Sequence, residues 1–96
     1  MDCKFSISGH HPSLSGHFPG NPIVPGVVIL DEVIYAVTIR YPHLKVLGFA
    51  SVKFNTPLKP EQIVNISFNE HKKGINFECK IDSTLIASGS VKVEGM

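Results

Sequence analysis

The chain has 96 residues, 43% apolar and 18% charged, and nine basic against eight acidic side chains leave a net charge of +1. A chain of this length allows one domain, residues 1–96, which folding alone would bury to only about 60–65% of its unfolded surface. The balanced charge argues against disorder and against a nucleic-acid footprint, where a basic stripe is expected, while the high apolar fraction calls for a partner surface, a homo-oligomer in the first instance.

Cys3 and Cys79 are too few for a disulfide framework and have no zinc-type spacing with histidine, so free thiols and no metal are expected. The start MDCKFSISGHH lacks a basic flank followed by an apolar stretch, and the apolar run from Ile23 to Leu30 is broken by Pro25 and Gly26. That is far short of the ~20 residues that span a bilayer. A cytoplasmic protein without a membrane span is expected.

In chain order, a first short strand is expected over about Lys4 to Ser8. From His10 to Gly26 the chain reads as a loop, because His11-Pro12, Ser15-Gly16, Pro19-Gly20, Asn21-Pro22 and Pro25-Gly26 are all turn or breaker pairs. Long ordered loops in small domains tend to be functional. From Val27 to Tyr41 the residues are mostly β-branched, yet the length, the Pro-Gly start and the stop before Tyr41-Pro42 predict a helix. Its apolar residues cover nearly the whole circumference, which predicts burial almost all round.

After Pro42 the pattern switches to period two. Val46, Gly48, Ala50, Val52 and Phe54 fall on one face of a strand. Val64, Ile66 and Phe68 alternate with polar residues, as do Ile75, Phe77, Cys79 and Ile81. Leu85, Ala87, Val91 and Val93 continue the alternation, with Gly89 as a bulge or close approach. The connections are Pro-rich (Asn55 to Glu61), polar (Asn69 to Gly74) and short (Asp82-Ser83), which predicts antiparallel hairpins. The expected fold class is α+β: one long central helix wrapped by a curved, mostly antiparallel sheet of about five strands.

Chemistry concentrates in GHFPGNPIVPGVVILDE, Gly16 to Glu32. It combines an imidazole, His17, with the free N–H groups of a helix start at Gly26 and carboxylates at Asp31 and Glu32 inside an apolar helix. A carboxyl in an apolar setting is costly unless paired or used. Read singly, Asp31 also fits a polar stripe of the helix, and His17 reads first as an ordinary loop histidine; their combination is what points to acid–base chemistry. His10, His11, His43 and His71 read as solvated. Lys45, Lys53, Lys59, Lys72, Lys73 and Lys80 read as strand-face or turn lysines that could steer an acidic partner. Tyr35 and Tyr41 read as packing residues.

The same string resembles the signature of the (3R)-hydroxyacyl-[acyl-carrier-protein] dehydratases of bacterial type II fatty-acid synthesis, which have the hotdog fold. The family motif runs His-Phe-Pro-Gly-x-Pro-x-x-Pro-Gly, with an acidic residue fourteen positions after the His, which is Asp31 here. The stretch SVKFNTPLKPEQI is similar to the family's as well. Three departures are visible: Asn55 and Thr56 replace basic residues, the turn after Pro60 lacks its glycine, and the N-terminal segment is short. In this the chain resembles short accessory-pathway forms, such as those of aryl polyene or glycolipid synthesis.

The resemblance implies dehydration of a 3-hydroxyacyl thioester to the trans-2-enoyl product, with His17 as base, Asp31 as acid and the Gly26 N–H on the thioester carbonyl. Phe18 and Val27 are then candidate tunnel walls. It further implies no cofactor beyond the phosphopantetheine arm of the acyl carrier protein, that carrier as partner, and a homodimer with active sites at the interface. Two other readings stay open: a catalytically silent acyl-binding subunit of a heterodimer, and a hotdog thioesterase.

Overall fold

A computed structural model describes residues 3–14, 22–72 and 74–95. Strand β1 (Cys3–Phe5) leads to a 3-10 turn at Pro12–Leu14; helix α1 (Gly26–Arg40) is followed by β2 (Leu44–Phe54), β3 (Val64–His71), β4 (Gly74–Ile81) and β5 (Thr84–Gly95). The strands form one sheet in the order β1-β3-β4-β5-β2, every neighbouring pair antiparallel. The α+β architecture expected from the pattern is therefore the observed one. The first strand is shorter than expected, and β3 and β4 meet in a tight hairpin closed by His71 against Gly74.

The helix ends where the sequence requires, with the Tyr41 amide donating to the Val37 carbonyl at 2.8 Å just before Pro42. One face of α1 (Val28, Ile29, Val33, Ala36, Val37) joins the buried residues of β3, β4 and β5 in a single core, and the helix also lies against β2. Val64, Ile66, Ile75, Phe77 and Cys79 supply the sheet's side, each at most 1% exposed. Edge-to-face contacts join Phe49 to Phe77 and Tyr41 to Phe68, both at 5.9 Å between ring centres.

Two expectations are corrected. First, α1 is not buried all round: Val27, Asp31, Tyr35, Thr38 and Ile39 form an exposed stripe at helical spacing. Five strands cover one side of a helix, and nothing else in the chain is placed over the other side among the described residues. Second, β2 does not keep one face from Val46 to Phe54. Its pairing with β5 shifts register between Val46 and Gly48 and again between Phe49 and Ser51. Each shift inserts an unpaired residue and reverses the phase of the side chains: after the first Phe49 turns to the core, and after the second Val52 and Phe54 return to the face of Val46, so that Gly48 and the exposed, inserted Ala50 are the residues that leave the expected face. Gly48, at φ +145°, takes the first of these irregularities. A similar shift opposite Cys79 and Lys80 lets the consecutive Ile86 and Ala87 both be buried.

Candidate active site

The approach to α1 is extended, and Pro25 caps the helix at φ −61° and ψ 145° with no side-chain hydrogen bond. Its carbonyl accepts from the Val28 amide at 3.0 Å. The amides of Gly26 and Val27 bond to no described residue, so among the described residues nothing occupies these two donors at the positive end of the helix dipole. Such a pair suits an oxygen that acquires negative charge during a reaction.

Beside Gly26 lies a mainly apolar cleft of about 310 Å³, walled by Ile23, Val24, Ile29, Phe54, Pro57 and Leu58. The Val24 amide donates to the Leu58 carbonyl at 2.8 Å, which fixes the chain just ahead of the helix to the β2–β3 connection. That connection is anchored in turn: the Asn55 amide reaches the Ile86 carbonyl at 2.8 Å and Thr56 Oγ1 donates to the Leu85 carbonyl at 2.9 Å. The Phe54 ring stands directly against Gly26 and is half exposed. Sequence reasoning placed Phe54 on a strand face and missed this contact. The available signal was an aromatic residue at a strand end, just before Asn55-Thr56-Pro57, in a chain with a glycine at the helix start.

Asp31 lies one turn beyond Val27 and one turn before Tyr35, in the middle of the exposed stripe. By helix rise it is about 7.5 Å along the axis from Gly26. It does not line the cleft, and of the two settings the sequence leaves open for it the exposed stripe is the observed one: within one chain Asp31 is exposed, and both neighbours on the stripe are apolar and 65% exposed. Glu32 faces a second, smaller hollow with Lys4, Phe5 and Ala36 between α1 and β1. His17 and Phe18 lie outside the described residues, as does Lys73. The structure thus brings Gly26 together with Phe54, and sets Asp31 and Val27 on a different face of the same helix.

Of the other candidates, His71 Nε2 is 3.3 Å from Ser90 Oγ on the sheet surface. Lys80 and Glu78 make an exposed ion pair at 3.6 Å, of the kind that contributes little to stability. Tyr41 is buried with the Arg40 guanidinium over its ring, whereas Tyr35 is exposed. Both cysteines are free thiols. Among the described residues no helix is long and apolar enough to cross a membrane.

Comparison with known proteins gives a consistent result. The family model for ApeI-like proteins, described as ApeI dehydratase, matches residues 1–90. The 3-hydroxyacyl-[acyl-carrier-protein] dehydratase FabZ of Vibrio cholerae is 31% identical over 91% of this chain and 67% of its own length. That of Ehrlichia chaffeensis is 28% identical over 90% and 68%. Among solved structures, a chain of the dehydratase heterocomplex ApeI:P from Xenorhabdus doucetiae superimposes with a TM-score of 0.81 at 24% identity, covering 96% of this chain and 84% of that one. The fluoroacetyl-CoA thioesterase FlK shares the fold more distantly, with a TM-score of 0.63 at 13% identity over 99% and 84%. The hotdog fold is common to these structures, and the match over nearly the whole sequence decides between them: this chain belongs to the ApeI-like dehydratase family.

Proposed function

We propose that the protein removes water from (3R)-hydroxyacyl thioesters carried on the phosphopantetheine arm of an acyl carrier protein, giving the trans-2-enoyl thioester. The observation that carries this reading is the start of α1, where two amides that bond to no described residue, those of Gly26 and Val27, precede by about one turn a carboxylate set among apolar residues. The reaction needs a base for the α-proton, an acid for the leaving hydroxyl and donors for the enolate-like oxygen. In our reading His17 takes the α-proton, Asp31 in its acid form protonates the departing hydroxyl, and the Gly26 N–H holds the thioester oxygen. The α-C–H and C–O bonds break, the double bond forms, and water leaves. Return of the proton from His17 to Asp31 resets the site.

An exposed Asp31 is poorly placed for this work until something covers the stripe, since water competes for every hydrogen bond it would make. A second copy of the chain does so in our reading: Val27, Tyr35 and Ile39 are 65%, 65% and 62% exposed, and β2 is an edge strand with one side unpaired. Burying each such side chain contributes about 1.5–3 kcal/mol. Asp31 of one copy then meets His17 of the other, with Val27 and Phe18 as walls of the acyl tunnel between them.

Incubation of purified protein with a 3-hydroxyacyl thioester, followed by mass spectrometry, tests the reading. Enoyl product is expected, with His17→Ala and Asp31→Asn each abolishing it while light scattering still reports a folded dimer. Wild-type turnover by either variant would sink the assignment, and free thiol in place of enoyl product would point to thioester hydrolysis. A second reading is favoured by one observation, that the similar structure from Xenorhabdus doucetiae is a heterocomplex. On that reading this chain is one subunit of a mixed pair; inactivity alone together with co-purification of a second hotdog chain would support it.

A further inference from the structure

The β2–β3 connection grips both flanks of the segment that contains His17. On the C-terminal flank the Val24 amide donates to the Leu58 carbonyl at 2.8 Å. On the N-terminal flank the Glu61 amide donates to the Ile7 carbonyl at 2.8 Å, and the Glu61 carboxylate oxygen Oε1 accepts from the Gly9 amide. From there the chain runs through consecutive turns. The His11 amide donates to the Ser8 carbonyl, and the Leu14 amide to the His11 carbonyl, both at 3.0 Å. Leu14, three residues before His17, is buried in the core. A continuous hydrogen-bonded path thus joins Glu61 to the residues leading into the motif.

Glu61 is held in a conformation that does not suit it. Its φ is +71°, a left-handed value that costs a long side chain free energy and costs glycine none. Asp82, the other described non-glycine residue with positive φ, sits in a two-residue hairpin turn, where short polar side chains are tolerated. Burial does not account for Glu61 either, because the residue is exposed. What glycine lacks at this position is the carboxylate that meets Gly9. Strain retained where a side chain makes a specific bond is a reason to look for function at the far end of that bond.

We propose that Glu61 is a positioning residue for the dehydration, holding the segment before His17 in register with the start of α1. The inference rests on the reading of His17 as the base. Glu61 touches no reacting atom; it acts through Gly9 and the turns that follow. Small displacements of a reacting group by a remote substitution are enough to slow a reaction strongly.

Three variants test it, assayed at a temperature where circular dichroism shows each to be folded. Glu61→Gln keeps an Oε1 acceptor, and its kcat is expected to stay within about threefold of wild type. Glu61→Ala and Glu61→Gly remove the acceptor and are expected to lower kcat about tenfold with KM within about twofold. Glu61→Gly also relieves the backbone, so it should unfold at a higher urea concentration than Glu61→Ala yet be equally slow. A merely structural role would make activity follow stability, and that ordering, or a kcat within twofold of wild type for both truncations, overturns the proposal. Should Glu61→Ala not fold, the Gln and Gly variants make the same comparison. An active wild type with insensitive Glu61 variants defeats this inference alone; wild-type turnover by His17→Ala defeats the reading beneath it.

Discussion

The ring of Phe54 stands against the α-carbon of Gly26, so close that a methyl group added to Gly26 would lie 2.6 Å from Phe54 Cζ and 3.0 Å from both Cε atoms. The two residues come from elements 28 positions apart in sequence, the start of α1 and the last residue of β2. Something must move in Gly26→Ala, and the cheaper movement is that of the half-exposed ring rather than of the helix. We therefore expect Gly26→Ala to fold with a stability within about 1 kcal/mol of wild type, the clash being offset by the better helix propensity of alanine. Dehydration should fall much further, because the new methyl group occupies the space beside the Gly26 N–H. Urea denaturation and turnover measured on the same samples separate the two effects. Phe54→Ala in the same chain should recover stability and only part of the activity.

Leu58 ties the site to the core through two different parts of one residue. Its side chain is 1% exposed, and its carbonyl accepts from Val24, itself buried. Leu58→Ala removes the packing but leaves the carbonyl, and truncations of this kind cost about 2–5 kcal/mol depending on how far the surroundings collapse. A loss below 1 kcal/mol in urea would show that the cleft closes over the missing atoms, in which case the connection is softer than its burial implies.

Where the sequence was legible, one local rule dominated. Tyr41-Pro42 stops α1 because the residue before proline is pushed out of the helical region, and the helix ends at Arg40. β3 and β4 keep strict alternation, so Val64, Ile66, Phe77 and Cys79 were assigned to the core from their spacing alone. β2 obeys the same chemistry but carries two inserted residues, and no local composition marks an insertion in a strand that is apolar on both faces. The exposed side of α1 was hidden for a related reason: Val27, Tyr35 and Ile39 are as apolar as Val28, Val33 and Val37, so the sequence does not say which side the sheet takes. For Asp31 the sequence leaves two settings open, an apolar one and an exposed polar stripe, and the sheet's choice of side puts it on the exposed stripe. The Glu61 to Gly9 bond spans 52 positions and has no local signal at all.

The pattern marks Gly89 as a bulge or a close approach, and in the structure it is a close approach. A Cβ there would press on the Ser51 carbonyl oxygen and lie 3.0 Å from Phe77 Cε2. Neither neighbour yields cheaply, since one is backbone of β2 and the other a ring that is 1% exposed in the core. Gly89→Ala should therefore destabilise by about 3 kcal/mol or prevent folding, at the upper end of overpacking costs. Gly95→Ala, where nothing lies within 4 Å, is the control and should stay within about 0.5 kcal/mol of wild type. Equal stabilities for the two variants would mean that β2 and β5 separate without penalty at Ser51.

Cys79 gives a prediction in pH. It is fully buried on β4, paired across to Ala87 and Ile66, and burial alone pushes its thiol up from 9.0 to about 12. Below pH 9 the thiol is protonated in both folded and unfolded chains and contributes no pH dependence. Between pH 9 and about 12 the unfolded thiol ionises while the folded one keeps its proton, so the unfolded state binds fewer protons and stability falls as pH rises. For one group the slope approaches about 1.4 kcal/mol per pH unit. The comparison that isolates the thiol is with Cys79→Ala. That variant is expected to be less stable than wild type at pH 7 because it leaves a small void, but to lose stability more slowly above pH 9, by about 1 kcal/mol per unit. Parallel curves for the two proteins in urea titrations from pH 8 to 10.5 would show that the thiol ionises without leaving the core, contrary to a dry packing of β4 against α1.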